Sequence, residues 1–278
     1  MLHSAFYRFT PVDDPAALAD AVRTQARGVA LSGSIVVAGE GISGAVAGDA
    51  AALDAFEHAL QQPALLQGQL RANLRGMVFK RSHSLQAPFA RLKVSVKPEI
   101  VALGLPVEHP PATAPDPGLL SPQAWHERLQ RGDVLVLDNR NHFEFRLGHF
   151  RHAVDPQVHN FRDFVAYVQQ QAPAWRVAGK PVAMYCTGGI RCEKAAPWMR
   201  SLGLQVLQLE GGILNYLQQR PAGGSSDWLG ECFVFDNRIA LNKQLQETRT
   251  TAEEVFDARH PDEAWRLQRA RRLQHSGG

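Results

Sequence analysis

The sequence contains no apolar run approaching the roughly 20 residues that a membrane-spanning helix needs. Its first residues also lack the basic stretch followed by an apolar one that is typical of a secretory leader. Cysteine is scarce, since Cys186, Cys192 and Cys232 are the three in 278 residues. They cannot build a disulfide framework and do not have zinc-ligand spacing. These absences argue against a membrane protein or a disulfide-rich secreted domain and predict a cytoplasmic protein.

A strong net charge is missing as well. The chain carries +3 at pH 7, with 45% hydrophobic and 21% charged residues, which is ordinary for a globular protein of two or three domains.

Acidic residues are absent from residues 71–97, and this segment carries seven cations. They are Arg71, Arg75, Lys80, Arg81, Arg91, Lys93 and Lys97. Clustered cations with Phe79 and Phe89 between them favour an RNA-binding face, and a solvated basic surface is the alternative.

The most informative stretch of the chain surrounds Cys186. An apolar run over residues 181–185 predicts a buried strand, and residues 193–202 predict a helix, so Cys186 opens the turn between them. Thr187, Gly188 and Gly189 allow the backbone to curl so that successive N–H groups point at one anion. With Arg191 nearby, this nest favours the thiolate form and makes Cys186 a candidate nucleophile.

The length of this turn separates two kinds of chemistry. A Cys-x5-Arg phosphatase places its arginine six positions after the nucleophile, whereas here Arg191 is five after Cys186 and Cys192 is sixth. The turn instead resembles the six-residue active loop of the rhodanese superfamily. The candidate loop residues are Thr187, Gly188, Gly189, Ile190, Arg191 and Cys192.

Hydrophobic periodicity predicts alternating strands and helices over the first 105 residues. Strands at 5–9, 33–38 and 45–48 and helices at 14–27 and 49–61 precede strands near 77–80 and 92–96, an order that indicates a ferredoxin-like β-α-β-β-α-β sandwich. The glycines at 39, 41 and 44 have dinucleotide-fingerprint spacing, but a strand-like run follows them. We therefore interpret residues 39–44 as a hairpin turn.

A proline-rich segment over residues 106–118 is the predicted linker. Beyond it, strands alternate with helices, including one predicted at 160–171, and this alternation indicates a parallel α/β sheet over residues 119–221. Residues 222–278 form a C-terminal extension in which one charged helix is predicted at 251–274. His149, His152, Asp155 and His159 lie close together in sequence, but loop spacing of this kind is more often structural, so we predict no metal site.

Several motifs together resemble the rhodanese-like tRNA uridine hydroxylases. The resemblance rests on residues 41–44, 88–94, 98–101, 138–144, 148–150, 185–194, 210–213 and 233–236. They cover about residues 5–240 in the family's order. The resemblance implies an α/β protein with three parts: an acylphosphatase-like domain at 1–105 that binds tRNA, a rhodanese-like catalytic domain at 119–221 and a small extension.

The resemblance also implies a function. It is the oxygen-dependent conversion of the wobble uridine, U34, to 5-hydroxyuridine, with Cys186 as the catalytic residue. Molecular oxygen is the expected co-substrate, no other cofactor is identifiable, and the expected partner is the tRNA anticodon arm rather than DNA or a membrane. Two alternatives stay open on the residues alone: a sulfurtransferase that carries a persulfide on Cys186, and a non-catalytic RNA-binding protein.

Overall fold

The computed structural model describes residues 1–66, 72–85, 87–105, 116–219 and 227–275. The chain divides into two compact units. Unit 1 comprises Met1–Ala102, Asp236–Arg238 and Arg272–Gly278, and unit 2 comprises Leu103–Phe235 and Ile239–Arg271. The predicted linker falls largely on residues 106–115, which lie outside the described residues.

Unit 1 is a five-stranded sheet with two helices. Its elements are β1 (Leu2–Phe9), α1 (Pro15–Gly28), β2 (Ser32–Ala38), β3 (Gly41–Gly48), α2 (Ala50–Leu60), a 3-10 turn (Pro63–Leu66), β4 (Phe79–His83) and β5 (Leu92–Val96). The strand order is β4-β1-β3-β2-β5, and all neighbours are antiparallel except β2 and β5. The predicted sandwich is confirmed, with β5 added beside β2.

Local sequence explains where the helices of unit 1 begin. The Asp14 carboxylate accepts hydrogen bonds from the backbone N–H groups of Ala16 and Ala17, both at 3.0 Å, and Pro15 occupies the first turn. Asp49 caps α2 in the same way. Leu18 and Val22 lie four residues apart on one face of α1, and both are buried in the core that this helix forms with the sheet.

The glycine-rich turn is shorter than predicted. Only Gly39 and Glu40 form it, because β3 already begins at Gly41. Gly41 has φ +147°, and a Cβ there would lie 2.1 Å from the Arg8 carbonyl oxygen. This glycine is thus required by close strand pairing, and the strand that follows it leaves no helix N-terminus for a pyrophosphate.

Unit 2 is built around a four-stranded parallel sheet. Its elements are β6 (Leu119–Leu120), α3 (Pro122–Arg131), β7 (Leu135–Asp138), α4 (His142–Leu147), β8 (Gly148–Phe150), α5 (Asp163–Ala178), β9 (Val182–Tyr185), α6 (Ile190–Ser201), β10 (Val206–Leu209), α7 (Gly212–Gln219), β11 (Trp228–Gly230), β12 (Cys232–Phe233), β13 (Ala240–Leu241), α8 (Ala252–Val255) and most of α9 (Pro261–His275). The order β6-β10-β9-β7 places β9 inside the sheet, so the residue after it opens at the carboxyl edge.

The alternation of side chains along β9 explains why helices cover both faces. Val182 and Met184 belong to one core cluster, with α5 and α6, whereas Ala183 and Tyr185 belong to the other. All four side chains are fully buried. A strand of this kind is apolar along its whole length, as the sequence of residues 182–185 is.

Two predicted helices differ from those observed. α5 runs from Asp163 to Ala178 and continues through Pro173, because Trp175 beyond the proline is buried in the core and its packing offsets the lost backbone hydrogen bond. The predicted helix at 251–274 is divided into α8 and α9. Pro261 begins α9, and the residue before a proline is disfavoured in the helical conformation.

Candidate active site

Cys186 lies directly after β9, and α6 begins four residues later at Ile190. Helix α6 therefore starts earlier than the sequence indicated, and Arg191 and Cys192 fall in its first turn. Gly189 adopts φ +101°, a left-handed conformation that aims its N–H back at the cysteine. The Gly189 N–H donates to Cys186 Sγ at 3.1 Å, and the backbone N–H groups of Arg191 and Cys192 also donate to this sulfur.

The three cysteines are all buried, but their pKa values diverge. Burial alone would raise the pKa of Cys186. Hydrogen bonds from Cys192 and the backbone, with the charge of Arg191, outweigh burial and hold this pKa well below its ordinary value of 9.0. For Cys192, burial and the adjacent Cys186 sulfur raise the pKa well above 9.0. Burial raises the pKa of Cys232 to about 12. The loop therefore favours the thiolate form of Cys186 and the thiol form of Cys192.

Arg191 is oriented by a carboxylate that sequence reasoning did not assign to the site. Its two terminal nitrogens, Nη1 and Nη2, donate to the two oxygens of Glu144, each at 2.8 Å. Burial opposes ionisation of Glu144, but the Arg191 cation overcomes it and lowers the pKa of this carboxyl below 4.5. Glu144 is 47 residues from Arg191 and comes from α4, so only the tertiary fold reveals the pair.

The other side of the loop is fixed by the first turn of α7. The N–H groups of Ile213 and Leu214 donate to the carbonyl oxygens of Cys186 and Thr187, at 3.0 and 3.1 Å. This contact requires glycine at position 212, where φ is +68° and a Cβ would lie 2.4 Å from the Cys186 oxygen. The Cys186 loop is consequently held in one conformation from both sides.

A second carboxylate–arginine pair lies at the carboxyl ends of β7 and β9. Asp138, the last residue of β7, accepts from Arg140 Nε at 2.9 Å and Nη2 at 2.6 Å, and from the Tyr185 hydroxyl at 2.5 Å. Arg140 also donates to the Gly148 carbonyl oxygen at 2.6 Å. Both charged side chains are fully buried, so this network ties the ends of β7 and β9 to β8.

The residues of the predicted RNA-binding segment differ in their surroundings. Arg71 lies outside the described residues. Arg81 is engaged, since it donates to Glu57 and Asp54, and Lys80 lies 5.9 Å from the Tyr7 ring centroid. In contrast, Arg75, Arg91, Lys93 and Lys97 are exposed, and within the described ranges their side chains form no ion pair. The last three flank or belong to the edge strand β5.

The residues considered as metal ligands, His149, His152, Asp155 and His159, do not converge. Asp155 pairs with His142 Nδ1 at 2.7 Å, whereas His149 stacks on Phe145 with ring centroids 4.1 Å apart. His159 stacks instead on His260, at 3.6 Å. Among the described residues, no three His, Cys, Asp or Glu side chains are grouped so that they could hold a metal ion. Of the helices that the structure describes, none is long and apolar enough to cross a membrane.

These observations define the class of protein: a rhodanese-like α/β domain with a buried cysteine at the start of its loop, preceded by an acylphosphatase-like domain. Family models bear this out. The model of the UPF0176 acylphosphatase like domain matches residues 1–100, and that of the Rhodanese-like domain matches residues 121–219.

Relatives that match over most of their own length identify the family within this class. A protein from Nitrobacter winogradskyi is 43% identical over 93% of this chain and 98% of its own length. Relatives from Synechococcus elongatus and Legionella pneumophila are 44% and 38% identical, over 87% of this chain and 85% and 91% of their own lengths. Each carries the name tRNA uridine(34) hydroxylase. The chain belongs to the tRNA uridine(34) hydroxylase family.

Proposed function

We propose that this chain hydroxylates C5 of uridine 34 in tRNA and that the Cys186 thiolate is the reacting group. The observation that carries the proposal is the convergence of three backbone N–H groups and the Cys192 thiol on one buried sulfur. This arrangement supports a nucleophile rather than a packed core cysteine. Membership of the hydroxylase family gives the nucleophile its substrate.

Uracil chemistry explains what a thiolate contributes. C6 of the ring is electrophilic because it is conjugated to the C4 carbonyl, so the thiolate can add there and leave an enolate with its electron density at C5. C5 then attacks an electrophilic oxygen species derived from molecular oxygen. Loss of the C5 proton expels the thiolate and restores the ring. One oxygen atom enters the C5–H bond, and the other leaves as water with two electrons from a reductant.

Arg191 and Glu144 have supporting roles in this reaction. The Arg191 cation stabilises the thiolate that leaves as well as the thiolate that attacks, and Glu144 keeps the guanidinium in place through two hydrogen bonds. The same cation can face negative charge on the uracil oxygens as the enolate forms. Both residues are fixed before the substrate binds, so little reorganisation is needed.

The anticodon arm is the proposed ligand of the basic segment in unit 1. Arg91, Lys93 and Lys97 are exposed cations near one strand edge, which suits contacts with successive phosphates. Phosphate contacts supply affinity but not the choice of base. That choice is left to the Cys186 loop, which receives an unpaired base from the anticodon.

A salt series tests this role of the segment. We expect the variant Arg91→Ala/Lys93→Ala/Lys97→Ala to bind tRNA more weakly at low salt, with a slope of log K against log salt that is smaller by roughly two to three. The control Arg27→Ala/Arg131→Ala/Lys180→Ala removes the same charge from other exposed positions and should change neither quantity much. Equal losses in the two triple variants would place the RNA elsewhere.

Nucleoside mass spectrometry tests the function itself. tRNA from a strain that lacks the protein should lose 5-hydroxyuridine and its derivatives, and the wild-type gene but not Cys186→Ser should restore them. Loss of a thiolated nucleoside would instead support a sulfurtransferase that works through a persulfide. An unchanged nucleoside profile would indicate a non-catalytic RNA-binding protein.

A further inference from the structure

Phe235 is a large apolar residue left at the surface of unit 2. Its exposure is 59%, although its neighbours Phe233 and Val234 are buried. Single exposed apolar residues are common in proteins and usually have no function. Phe235 differs because the guanidinium carbon of Arg191, a residue of the active loop, lies 5.8 Å from its ring centroid.

The ring of Phe235 is also held in place. It makes an edge contact with the buried Phe233, with centroids 5.0 Å apart and an interplanar angle of 87°. Phe233 in turn packs against Phe143, the neighbour of Glu144 in α4, at 5.0 Å. Phe235 is thus anchored to the helix that orients Arg191, and its position is coupled to the geometry of the loop.

We infer that Phe235 is the stacking platform for the pyrimidine ring of the target nucleotide. This inference rests on the proposed function, since it assigns a residue to the base that Cys186 modifies. Arg191 occupies one side of the aromatic ring, and the exposure of Phe235 leaves area for a second flat π system. Aromatic rings in proteins bind unpaired RNA bases in this way, and they do so without regard to the identity of the base.

The platform would supply the exposed surface for the base that the rest of the site lacks. The thiolate and Arg191 are both buried, so neither offers surface on which an incoming base can first be held. An aromatic ring beside Arg191 gives the base such a surface, next to the cation that faces the reacting sulfur. Phe235 is therefore a positioning residue, and it takes no part in the chemical step.

Crosslinking tests the contact independently of activity. The probe is an anticodon stem-loop RNA with 5-iodouridine at position 34, irradiated with the full-length protein and mapped by peptide mass spectrometry. We expect the crosslink at Phe235 in the wild type and in Cys186→Ser, and its loss in Phe235→Leu, which keeps an apolar side chain against Arg191 but has no π face. The control Trp265→Ala removes another exposed aromatic, which lies 4.6 Å from Arg266 rather than against the loop, and should leave the crosslink in place.

Kinetics provides the second readout. One base–aromatic stack contributes roughly a five- to 150-fold effect on binding, so kcat/KM should fall about tenfold or more in Phe235→Ala and Phe235→Leu. Phe235→Tyr and Phe235→Trp should stay within about threefold of the wild type because they retain a flat ring. If Phe235 only packed against Arg191, the Phe235→Leu variant would keep a wild-type kcat/KM. If Phe235 stacks on the base, the same variant loses activity because leucine has no flat ring.

The outcomes separate this inference from the proposed function. A wild-type enzyme that hydroxylates uridine 34 but crosslinks elsewhere, or a Phe235→Leu variant with wild-type kcat/KM, overturns the stacking role alone. A wild-type protein that crosslinks through Phe235 but leaves uridine 34 unmodified supports the platform and overturns the hydroxylase proposal.

Discussion

Two buried carboxylate–arginine pairs occupy the same edge of the unit 2 sheet, and they differ in what else they touch. Asp138 and Arg140 are two residues apart, have fully buried side chains, and bind the Tyr185 hydroxyl and the Gly148 carbonyl. Glu144 and Arg191 come from different elements, and 8% of the Arg191 side chain remains exposed. The first pair contacts only the scaffold, whereas the second faces a thiolate and a surface aromatic ring.

The comparison shows that burial of a charge does not by itself indicate function. The hydrogen bonds of the inner pair join three strands, since Asp138 at the end of β7 accepts from Tyr185 in β9 and Arg140 donates to Gly148 in β8. In the outer pair, Glu144 also accepts hydrogen bonds from the Asn141 N–H and the Thr187 hydroxyl, at 3.1 and 3.4 Å, and the charge of Arg191 acts on Cys186 as well. Removing the inner pair should therefore change mainly the stability of the fold, and removing the outer pair should change mainly the reactivity of Cys186.

The largest expected effect on stability comes from the inner pair. Arg140→Met leaves the Asp138 carboxyl buried without its cation, so the free energy of unfolding should fall by about 3–5 kcal/mol in chemical denaturation. Arg259→Met is the control, because Arg259 pairs with Asp257 but is 92% exposed, and the loss of such a surface pair should change the free energy of unfolding little. Similar losses in the two variants would show that the inner pair is no stronger than a surface pair.

The outer pair is expected to control reactivity. Arg191→Met removes the cation beside the sulfur, which raises the pKa of Cys186 and should slow single-turnover hydroxylation at pH 7 at least about tenfold. The double variant Arg191→Met/Glu144→Gln should regain most of the stability lost in the single one, since no unpaired charge remains. Its hydroxylation rate should stay low. A double variant that regains activity would contradict the electrostatic role of Arg191.

The pH dependence of stability tests the Glu144 carboxylate, with a smaller expected effect. The pKa of Glu144 in the folded protein lies below its ordinary value of 4.5, mainly because the Arg191 cation outweighs burial. Its stabilising contribution is therefore complete above about pH 4.5 and is lost as the pH falls through the lower folded value. We expect Glu144→Gln to flatten the decline of unfolding free energy between pH 5 and 3. An equally steep decline would assign the acid sensitivity to other carboxyls.

The smallest effect should follow from changing Cys192. Its thiol donates to Cys186, so loss of this hydrogen bond should raise the pKa of Cys186, while the Gly189 N–H and the Arg191 cation remain to stabilise the thiolate. Cys192→Ala should accordingly keep most of its turnover, measured by nucleoside mass spectrometry of tRNA substrate. A folded, tRNA-binding but inactive variant would instead make Cys192 part of the reaction.

Local sequence was enough to place the reactive loop. The buried strand at 182–185, the glycines after Cys186 and the parallel sheet all follow from periodicity and turn chemistry, and the structure has each of them. Helix ends were less predictable. The early start of α6 at Ile190 depends on the left-handed Gly189, and α5 passes Pro173 because core packing overrides local preference.

The residues around the loop could not be found in this way. Glu144 and Phe235 lie 42 and 49 residues from Cys186, and only tertiary packing brings them to Arg191. The motif that contains Glu144 was recognised by resemblance, but its contact with Arg191 has no signal in spacing. Similarly, the acid-free run of residues 71–97 gave no sign that Arg81 is paired with Asp54 and Glu57 from α2.

The central claim is that the loop holds Cys186 as a thiolate while Cys192 and Cys232 remain thiols, and alkylation rates measure this directly. Folded protein would be treated with iodoacetamide from pH 6 to 10, and each cysteine followed by peptide mass spectrometry. Cys186 should react fastest at pH 7, and its rate should level off at a lower pH than the rates of the other two cysteines, while Cys232, whose pKa is raised to about 12, should barely react below pH 10. Equal rates at the three cysteines, or a Cys186 rate that rises tenfold per pH unit up to pH 9, would contradict the claim.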